Sequence, residues 1–208
     1  MLPTELTLVL AATRNMGIGH AGGLPWTGLK KEMAYFARVT KRLPSDAQPS
    51  AINAVIMGRK TWESIPPKFR PLKGRLNIVI SRSYSDTAEK AAISEAQPVK
   101  VNSLEKAVEY VNSSASGNIE RAYVIGGAQI YSAALQLKET KRILLTKVMS
   151  DFECDTFFSL KLFESQGDSK WVKSSKEELD EYTGETVPEG VQEENGTEYE
   201  FQMWEKMA

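Results

Sequence analysis

The chain has 208 residues, of which 41% are hydrophobic and 25% are charged, and its formal net charge is −1. This composition is typical of a soluble globular protein with a sizeable core, and the length favours one domain over residues 1–208. The near-neutral balance gives no charge-based reason to expect nucleic acid or an anionic membrane as a partner.

Cys154 is the only cysteine, which excludes an intrachain disulfide and a thiolate metal cluster. We predict no metal site. Residues 1–14 lack the basic start of a secretory signal, and Glu5 interrupts their short apolar run. No stretch of the sequence is long and apolar enough to span a bilayer. These features predict a cytoplasmic protein.

An apolar run, Leu6 to Ala12, predicts a first strand buried on both faces. Residues 15–23 follow, and their glycines include the dinucleotide fingerprint G-x-G-x-x-G. That fold needs a helix directly after the motif, whereas Gly23 and Pro25 intervene, so we reject it. We interpret the segment as a loop of high backbone freedom that folds over a ligand. For His20, the only histidine, we favour an ordinary exposed residue over a catalytic one.

The segment from Leu24 to Phe36 carries the strongest chemical signal. From Leu29 onward its pattern is helical, and Leu29, Met33 and Phe36 form one apolar stripe. Glu32 lies beside that stripe, where loss of water would raise its proton affinity and suit it to donate a proton or anchor a ligand. The alternative is a surface helix whose Glu32 is a solvated neighbour of two lysines.

A second buried strand is predicted from Ile52 to Met57 and ends at Gly58. The basic segment Arg59–Trp62 follows directly. Basic side chains and free amides at a helix start form a place to hold phosphate, although a plain basic turn is the alternative.

The third predicted strand runs from Leu76 to Ile80 and is followed by Ser81 and Arg82. An acid at such a strand end would suit the free ribose hydroxyls of NAD, whereas this pair suits a 2′-phosphate. Between Arg59 and Arg82 the only acid is Glu63. The cofactor indicated is therefore NADP.

Later elements follow the same strand and helix patterns. A glycine pair, Gly126 and Gly127, separates a predicted central strand from a helix and would let the backbone approach phosphate or nicotinamide, but the pair is a weak signal alone. The other predicted elements are a strand at Val99–Val101, a helix capped by Ser103, strands at Ala122–Ile125 and Arg142–Val148, and a terminal hairpin of Trp171–Ser174 with Tyr199–Trp204. We interpret the acidic stretch from Lys176 to Glu200 as a solvated face.

Five segments, in chain order, resemble those of dihydrofolate reductases of the eukaryotic type. They are Met16–Gly19, Leu24–Glu32, Met57–Trp62, Arg70–Arg75, and Val124–Gly127 with Tyr131. The segment Asp151–Phe158 is also similar to the family, so the resemblance runs from about Leu6 to Trp204.

The resemblance implies a single α/β domain with an eight-stranded, mostly parallel central sheet flanked by helices and a C-terminal antiparallel hairpin. It implies reduction of 7,8-dihydrofolate to 5,6,7,8-tetrahydrofolate for one-carbon metabolism, by hydride transfer to C6 and protonation at N5, with NADPH as cofactor. The partners implied are dihydrofolate and antifolate inhibitors, and the expected state is a monomer.

The resemblance assigns catalysis to Glu32, which holds the 2-amino group and ring nitrogen of the pterin and favours protonation of N5 through water. Trp26, Leu24 and Thr146 complete the catalytic group. Arg75 matches the arginine that binds the α-carboxylate of the glutamate tail, for which a planar fork is suited. The other substrate-binding residues implied are Val9, Met33, Phe36, Ile65, Leu72 and Ile125. The cofactor-binding residues implied are Ala11, Gly17, Ile18, Gly19, Gly58, Arg59, Lys60, Thr61, Ser81, Arg82, Gly126, Gly127, Ala128, Gln129, Ile130 and Tyr131.

The resemblance also implies one backbone feature, and the sequence departs from the family at three positions. In this family a cis peptide joins the residues that match Gly126 and Gly127. Departures occur at Met33, where eukaryotic relatives commonly have an aromatic residue, at Phe69, where a polar residue is more usual, and at Asn102, where some relatives add a basic contact to the 2′-phosphate.

Two other functions compete with folate reduction. A non-catalytic relative would bind folate, NADPH or a partner without turnover, but the intact Glu32 and Arg75 argue against it. A reductase of the same fold acting on a deaminated pyrimidine would give no reason for Arg75 or for the segment from Leu24 to Glu32.

Overall fold

The protein has an α/β fold in a computed structural model that describes residues 4–85, 96–113, 118–163 and 170–207. The helices are α1 (Lys30–Lys41), α2 (Arg59–Ser64), α3 (Leu104–Val111), α4 (Ala128–Leu135) and α5 (Lys176–Thr183). The strands are β1 (Leu6–Thr13), β2 (Gly17–Gly19), β3 (Ile52–Gly58), β4 (Arg75–Ile80), β5 (Val99–Val101), β6 (Ile119–Val124), β7 (Thr140–Val148), β8 (Thr156–Phe157), β9 (Trp171–Lys173), β10 (Gln192–Glu194) and β11 (Thr197–Lys206). The predicted eight-stranded, mostly parallel central sheet is confirmed, and β9 adds a further strand beside β11.

The described parts of residues 1–7 and 40–140 form one compact unit, and those of residues 8–39 and 141–208 form another. The single domain over residues 1–208 stays a prediction. None of the helices in the described ranges is long and apolar enough to cross a membrane.

In the first unit, strands β6, β3, β4 and β5 lie side by side in that order and are all parallel. All six residues of β4 are buried, as is the middle of β3, because parallel strands are covered on both faces. Helix α2 begins directly after β3, and helix α4 begins shortly after β6. The loops that follow these two paired strands therefore lie at the same edge of the sheet.

In the second unit, β11 pairs antiparallel with β7 on one side and with both β10 and β9 on the other. The predicted pairing of Trp171–Ser174 with the last strand is confirmed, but it is not a hairpin because α5 lies between the two strands. The terminal hairpin is instead β10–β11. Its turn is Asn195-Gly196, and both residues have positive φ (51° and 76°), as a tight hairpin turn requires.

The glycine-rich segment is more regular than predicted. Residues 17–19 form β2, which pairs with β8. His20 and Gly23 then exchange two backbone hydrogen bonds, of 3.0 and 2.9 Å, around a tight turn. The expected loop therefore contains a short strand and a tight turn, and its freedom to fold over a ligand stays a prediction. The rejection of the dinucleotide fingerprint is confirmed because no helix begins before Lys30 in the described chain.

Helix α1 buries a different face from the one predicted. Leu29, just before the helix, is buried, but Met33 is 54% exposed. The buried positions within the helix include Glu32, Tyr35 and Val39, which lie on one side at helical spacing. The predicted apolar stripe is thus wrong at Met33, and Glu32 occupies the buried face itself.

Candidate active site

Glu32 lies in the first turn of α1 and is only 9% exposed. The hydroxyl of Thr146, on β7, donates a 2.9 Å hydrogen bond to Oε1 of Glu32. Thr146 is itself 3% exposed and is held by the pairing of β7 with β11. The alternative of a solvated surface glutamate is therefore wrong, because the carboxyl group is inside the protein and has a specific donor.

Burial raises the pKa of the Glu32 carboxyl from its ordinary value of 4.5 to about 7. The hydrogen bond from Thr146 lowers this pKa, and the nearby charge of Glu194 raises it. Loss of water outweighs the single hydrogen bond, because an ionised carboxylate needs more donors than one hydroxyl to replace its hydration. Near neutral pH, Glu32 is thus present in both its charged and its neutral form.

Trp26 is buried at 4% exposure and packs edge-on against Phe152, with ring centroids 5.7 Å apart. Its indole N–H is buried and has no hydrogen-bond partner among the residues that the structure describes. It is a donor available to a bound molecule. Leu24, two residues earlier, is 52% exposed, so of these two residues only Trp26 is part of the core.

Other predicted substrate-binding positions differ in burial. Val9, on β1, is buried and Phe36 is half-buried, whereas Met33 is exposed. In the first unit, Ile65, Leu72 and Ile125 are all half-buried. Apolar side chains in these states are suited to cover a ligand ring, because they still have apolar surface to bury.

Arg75 begins β4 and is 5% exposed. Its Nη1 donates to the hydroxyl of Thr40 at 2.9 Å, and its Nε donates to the carbonyl of Lys73 at 3.2 Å. Burial lowers the pKa of its guanidinium to about 10, so it remains charged at neutral pH. No carboxylate of the described chain pairs with it. A buried cation with only neutral partners favours an anionic ligand.

The carboxyl ends of β3 and β6 meet through a hydrogen bond of 2.8 Å from the Gly58 N–H to the Gly126 carbonyl. The peptide bond between Gly126 and Gly127 is cis, as the resemblance implied. Gly126 has a φ of 119°, and a Cβ added there would lie 3.3 Å from the ring of Tyr131. A Cβ on Gly58 would lie 3.3 Å from Ile130. A side chain at Gly126 would be strained by its positive φ, and one at Gly58 would require Ile130 to shift by a few tenths of an ångström.

Basic side chains surround that edge of the first unit. Arg59 and Lys60 open α2 and are exposed, and no side chain caps the start of this helix. Arg82 is exposed in the turn after β4, and β4 ends opposite Gly58 of β3. Neighbouring parallel strands thus present three cationic side chains and uncapped backbone amides at one edge, which is the donor set that phosphate groups require.

The remaining cofactor positions also differ in burial. Gly17 is buried and its N–H donates to the Thr13 hydroxyl at 2.9 Å, while Ala11, Ile18 and Gly19 are half-buried. A Cβ on Gly17 would collide with Cys154, so this glycine is required for packing. In the first unit, Thr61, Ser81, Gly127, Ala128 and Ile130 are half-buried, Gln129 is exposed and Tyr131 is buried.

A family model described as dihydrofolate reductase matches residues 5–206. The chain belongs to the dihydrofolate reductase family. It is 43% identical to the dihydrofolate reductase of Pneumocystis carinii over 204 residues, which cover 96% of each chain, and 37% identical to that of Gallus gallus over 203 residues, which cover 97% of this chain and 96% of the other. A solved structure of dihydrofolate reductase from Schistosoma mansoni has a TM-score of 0.74 and 32% sequence identity, and the match covers 98% of each chain.

The structure of this dihydrofolate reductase brings two pairs of predicted site residues into contact. Glu32 contacts Thr146, and Gly58 contacts Gly126. The roles of individual residues stay predictions. One residue near Glu32 was not predicted at all. Glu194 lies in the acidic stretch that was interpreted as a solvated face, yet it is half-buried and acts on the charge of Glu32.

Proposed function

We propose that this chain reduces 7,8-dihydrofolate to 5,6,7,8-tetrahydrofolate with NADPH, and that Glu32 is the residue on which the reaction depends. The observation that carries the proposal is a buried carboxyl group with one hydroxyl donor and a raised pKa, in a chain of the dihydrofolate reductase family. A carboxyl group that is neutral part of the time near pH 7 can both anchor a pterin and supply a proton.

Glu32 would hold the 2-amino group and a ring nitrogen of the pterin when charged, and favour protonation of N5 through water when neutral. Thr146 fixes the orientation of the carboxyl group by its hydrogen bond. Trp26 offers its buried N–H beside the same helix start. Leu24, Val9, Met33 and Phe36 would cover the pterin and the adjoining ring with apolar surface.

Arg75 would bind the α-carboxylate of the glutamate tail. Its guanidinium has already lost much of its water, so an arriving carboxylate gains a strong interaction while removing little further water from the cation. Ile65, Leu72 and Ile125 would provide apolar contacts to the substrate in the same unit.

NADPH supplies the hydride when it is bound. The glycine packing after β3 and β6, together with the basic side chains at this edge, fits a phosphate-bearing cofactor. Arg59, Lys60, Thr61, Ser81 and Arg82 would hold the phosphate on the adenosine side, and Gly58 and Gly126–Tyr131 would hold the pyrophosphate and nicotinamide side. Ala11 and Gly17–Gly19 would contact the nicotinamide.

The substitution Arg82→Glu should weaken NADPH binding by about 10- to 100-fold, because it replaces a charge-assisted hydrogen bond with a like charge. NADH has no 2′-phosphate, so its affinity should change much less. Dissociation constants for both cofactors, measured by fluorescence titration, test this. Lys138→Glu makes the same charge change at an exposed turn and serves as the control. Equal weakening of NADPH and NADH by Arg82→Glu would contradict the assignment.

The reaction itself is tested by the loss of NADPH absorbance on adding dihydrofolate to the purified protein, with NADH as the control cofactor. The proposed function predicts rapid oxidation of NADPH that requires dihydrofolate. A protein that binds both ligands but oxidises no NADPH would be the non-catalytic relative, and the proposal would be wrong.

We also propose an inhibitor class, an oligomeric state and a cellular compartment for this enzyme. Antifolates that mimic the pterin would compete with dihydrofolate for Glu32, and the chain would act as a monomer in the cytoplasm. The single free cysteine, Cys154, supports a reducing compartment.

A further inference from the structure

The start of α1 has no capping side chain of its own. The residue before the helix is Leu29, whose carbonyl accepts the first helical bond, from Met33 at 3.0 Å, and whose side chain cannot accept a hydrogen bond. The backbone N–H of Lys31 instead donates to both carboxylate oxygens of Glu194, at 3.0 and 2.9 Å. Glu194 ends β10, far away along the chain. The hairpin β10–β11 thus caps a helix that the local sequence leaves uncapped.

The next residue of the hairpin makes a second contact with the same segment. The side-chain amide of Asn195 donates to the carbonyl of Gly28 at 2.5 Å. Gly28 has a φ of 78°, and a Cβ at this position would lie 2.7 Å from the Asn195 amide nitrogen. Glycine therefore allows the close approach. The hairpin residues Glu194 and Asn195 form a clamp, which holds the chain just before α1 and at the first turn of this helix.

Glu32 is the residue directly after Lys31, so the clamp fixes the backbone that carries its carboxyl group. We propose that Glu194 is a positioning residue for Glu32, which it holds in place by capping the first turn of α1. The inference rests on the proposed function, in which Glu32 is the key carboxyl. A displacement of about 1 Å at a reacting group can lower turnover by about a hundredfold, so such a clamp has a large catalytic effect.

The clamp also places a negative charge near Glu32. A like charge disfavours ionisation, so Glu194 adds to burial in raising the pKa of Glu32. The neighbouring side chains do not neutralise the negative charge of Glu194. Tyr199, on β11, donates to Glu194 at 3.3 Å, and its own pKa is raised to about 12 by burial, by Glu194 and by Glu32, so it is neutral. Thr146 is uncharged, and the side chains of Lys30 and Lys31 belong to exposed residues.

Two substitutions separate the geometric effect from the charge effect. Glu194→Gln keeps an oxygen that accepts the Lys31 N–H but removes the charge, whereas Glu194→Ala removes both. The control is Glu198→Gln, which removes one negative charge from an exposed residue of the same hairpin, opposite Glu193. The Glu32 carboxyl is followed by carbon NMR in glutamate-labelled protein, with its signal identified by its loss in Glu32→Gln.

The titration midpoint of Glu32 should fall by about 0.5 to 1 unit in Glu194→Gln, which is the effect of one nearby charge in a partly hydrated setting, and should stay at the parental value in Glu198→Gln. At about pH 5.5, where Glu32 is mostly protonated in the parent and in both variants, turnover should fall roughly tenfold or more in Glu194→Ala and be restored within about threefold by Gln.

Parental turnover of Glu194→Ala at that pH would overturn the positioning role, and an unchanged Glu32 titration in Glu194→Gln would overturn the charge effect. The NMR titration needs no catalysis. If Glu32→Gln kept parental turnover, the function proposed for Glu32 would fail, while the titration would still decide whether Glu194 acts on Glu32.

Discussion

Arg75→Leu is expected to raise the Michaelis constant for dihydrofolate by about 10- to 100-fold, with a smaller change in turnover. Hydrogen bonds to charged groups contribute about 1.5–3 kcal/mol, and each 1.4 kcal/mol is a tenfold change in affinity. The glutamate tail is remote from C6, so its binding is nearly the same in the ground state and in the transition state. Steady-state kinetics in dihydrofolate give both constants, and circular dichroism checks folding.

Two controls make this result specific to the carboxylate. Arg75→Lys keeps the charge but loses the planar fork, so its Michaelis constant should fall between those of the parent and the leucine variant. A dihydropterin without the glutamate tail should be reduced equally well by the parent and by Arg75→Leu. A Michaelis constant for dihydrofolate within about twofold of the parent would show that the tail is held elsewhere.

Strands were the part of the fold most open to prediction from sequence. β3 and β4 are short apolar runs between turn residues, and burial on both faces leaves few alternatives for such runs. Helix α5 was missed because its acidic composition suggested a solvated surface. A local signal was present: Ser175 and Glu178 form a reciprocal capping box, and Gly184 ends the helix in the left-handed conformation.

The burial and placement of the candidate site residues were predictable where they depend on the local sequence. Glu32 could be identified because a carboxylate beside apolar positions at helical spacing is unusual, although the stripe itself was placed wrongly at Met33. The placement of Arg59 and Arg82 at one edge followed from the ends of parallel strands, whose edge the topology determines, and their roles in binding the cofactor stay predictions.

Glu194 could not be assigned from sequence, because its contact with Lys31 joins two distant parts of the chain. Part of the signal was visible. Asn195-Gly196 is the dipeptide that most strongly favours a two-residue hairpin turn, and it predicts β10–β11. Nothing in the sequence indicates where the tip of that hairpin lies, since this depends on the pairing of β11 with β7.

Glu32→Gln is expected to lower turnover at neutral pH by about 10²–10⁴-fold, the usual contribution of a positioned acid. The amide keeps the size of the side chain and can still accept from Thr146, so the loss reports on the ionisable proton. Reduction at C6 leaves electron density on N5, and without proton delivery that step is costly. NADPH affinity should change little, because the substitution removes no group assigned to the cofactor. Thr146→Val, which removes the donor but leaves the carboxyl group, is the matched control and should have a smaller effect.

The most direct test of the role of Glu32 in folate reduction is turnover against pH in the parent and in Glu32→Gln, with folding checked at each pH. A raised pKa of about 7 means that Glu32 holds its proton below neutrality and loses it above, so parental turnover should level off below about pH 7 and decline above it. The variant has no such group, and its turnover should climb as falling pH protonates dihydrofolate in solution. Near-parental turnover of folded Glu32→Gln at neutral pH would contradict the account. If the turnover of the variant stayed flat across the acid range, Glu32 would only anchor the pterin and would take no part in protonation.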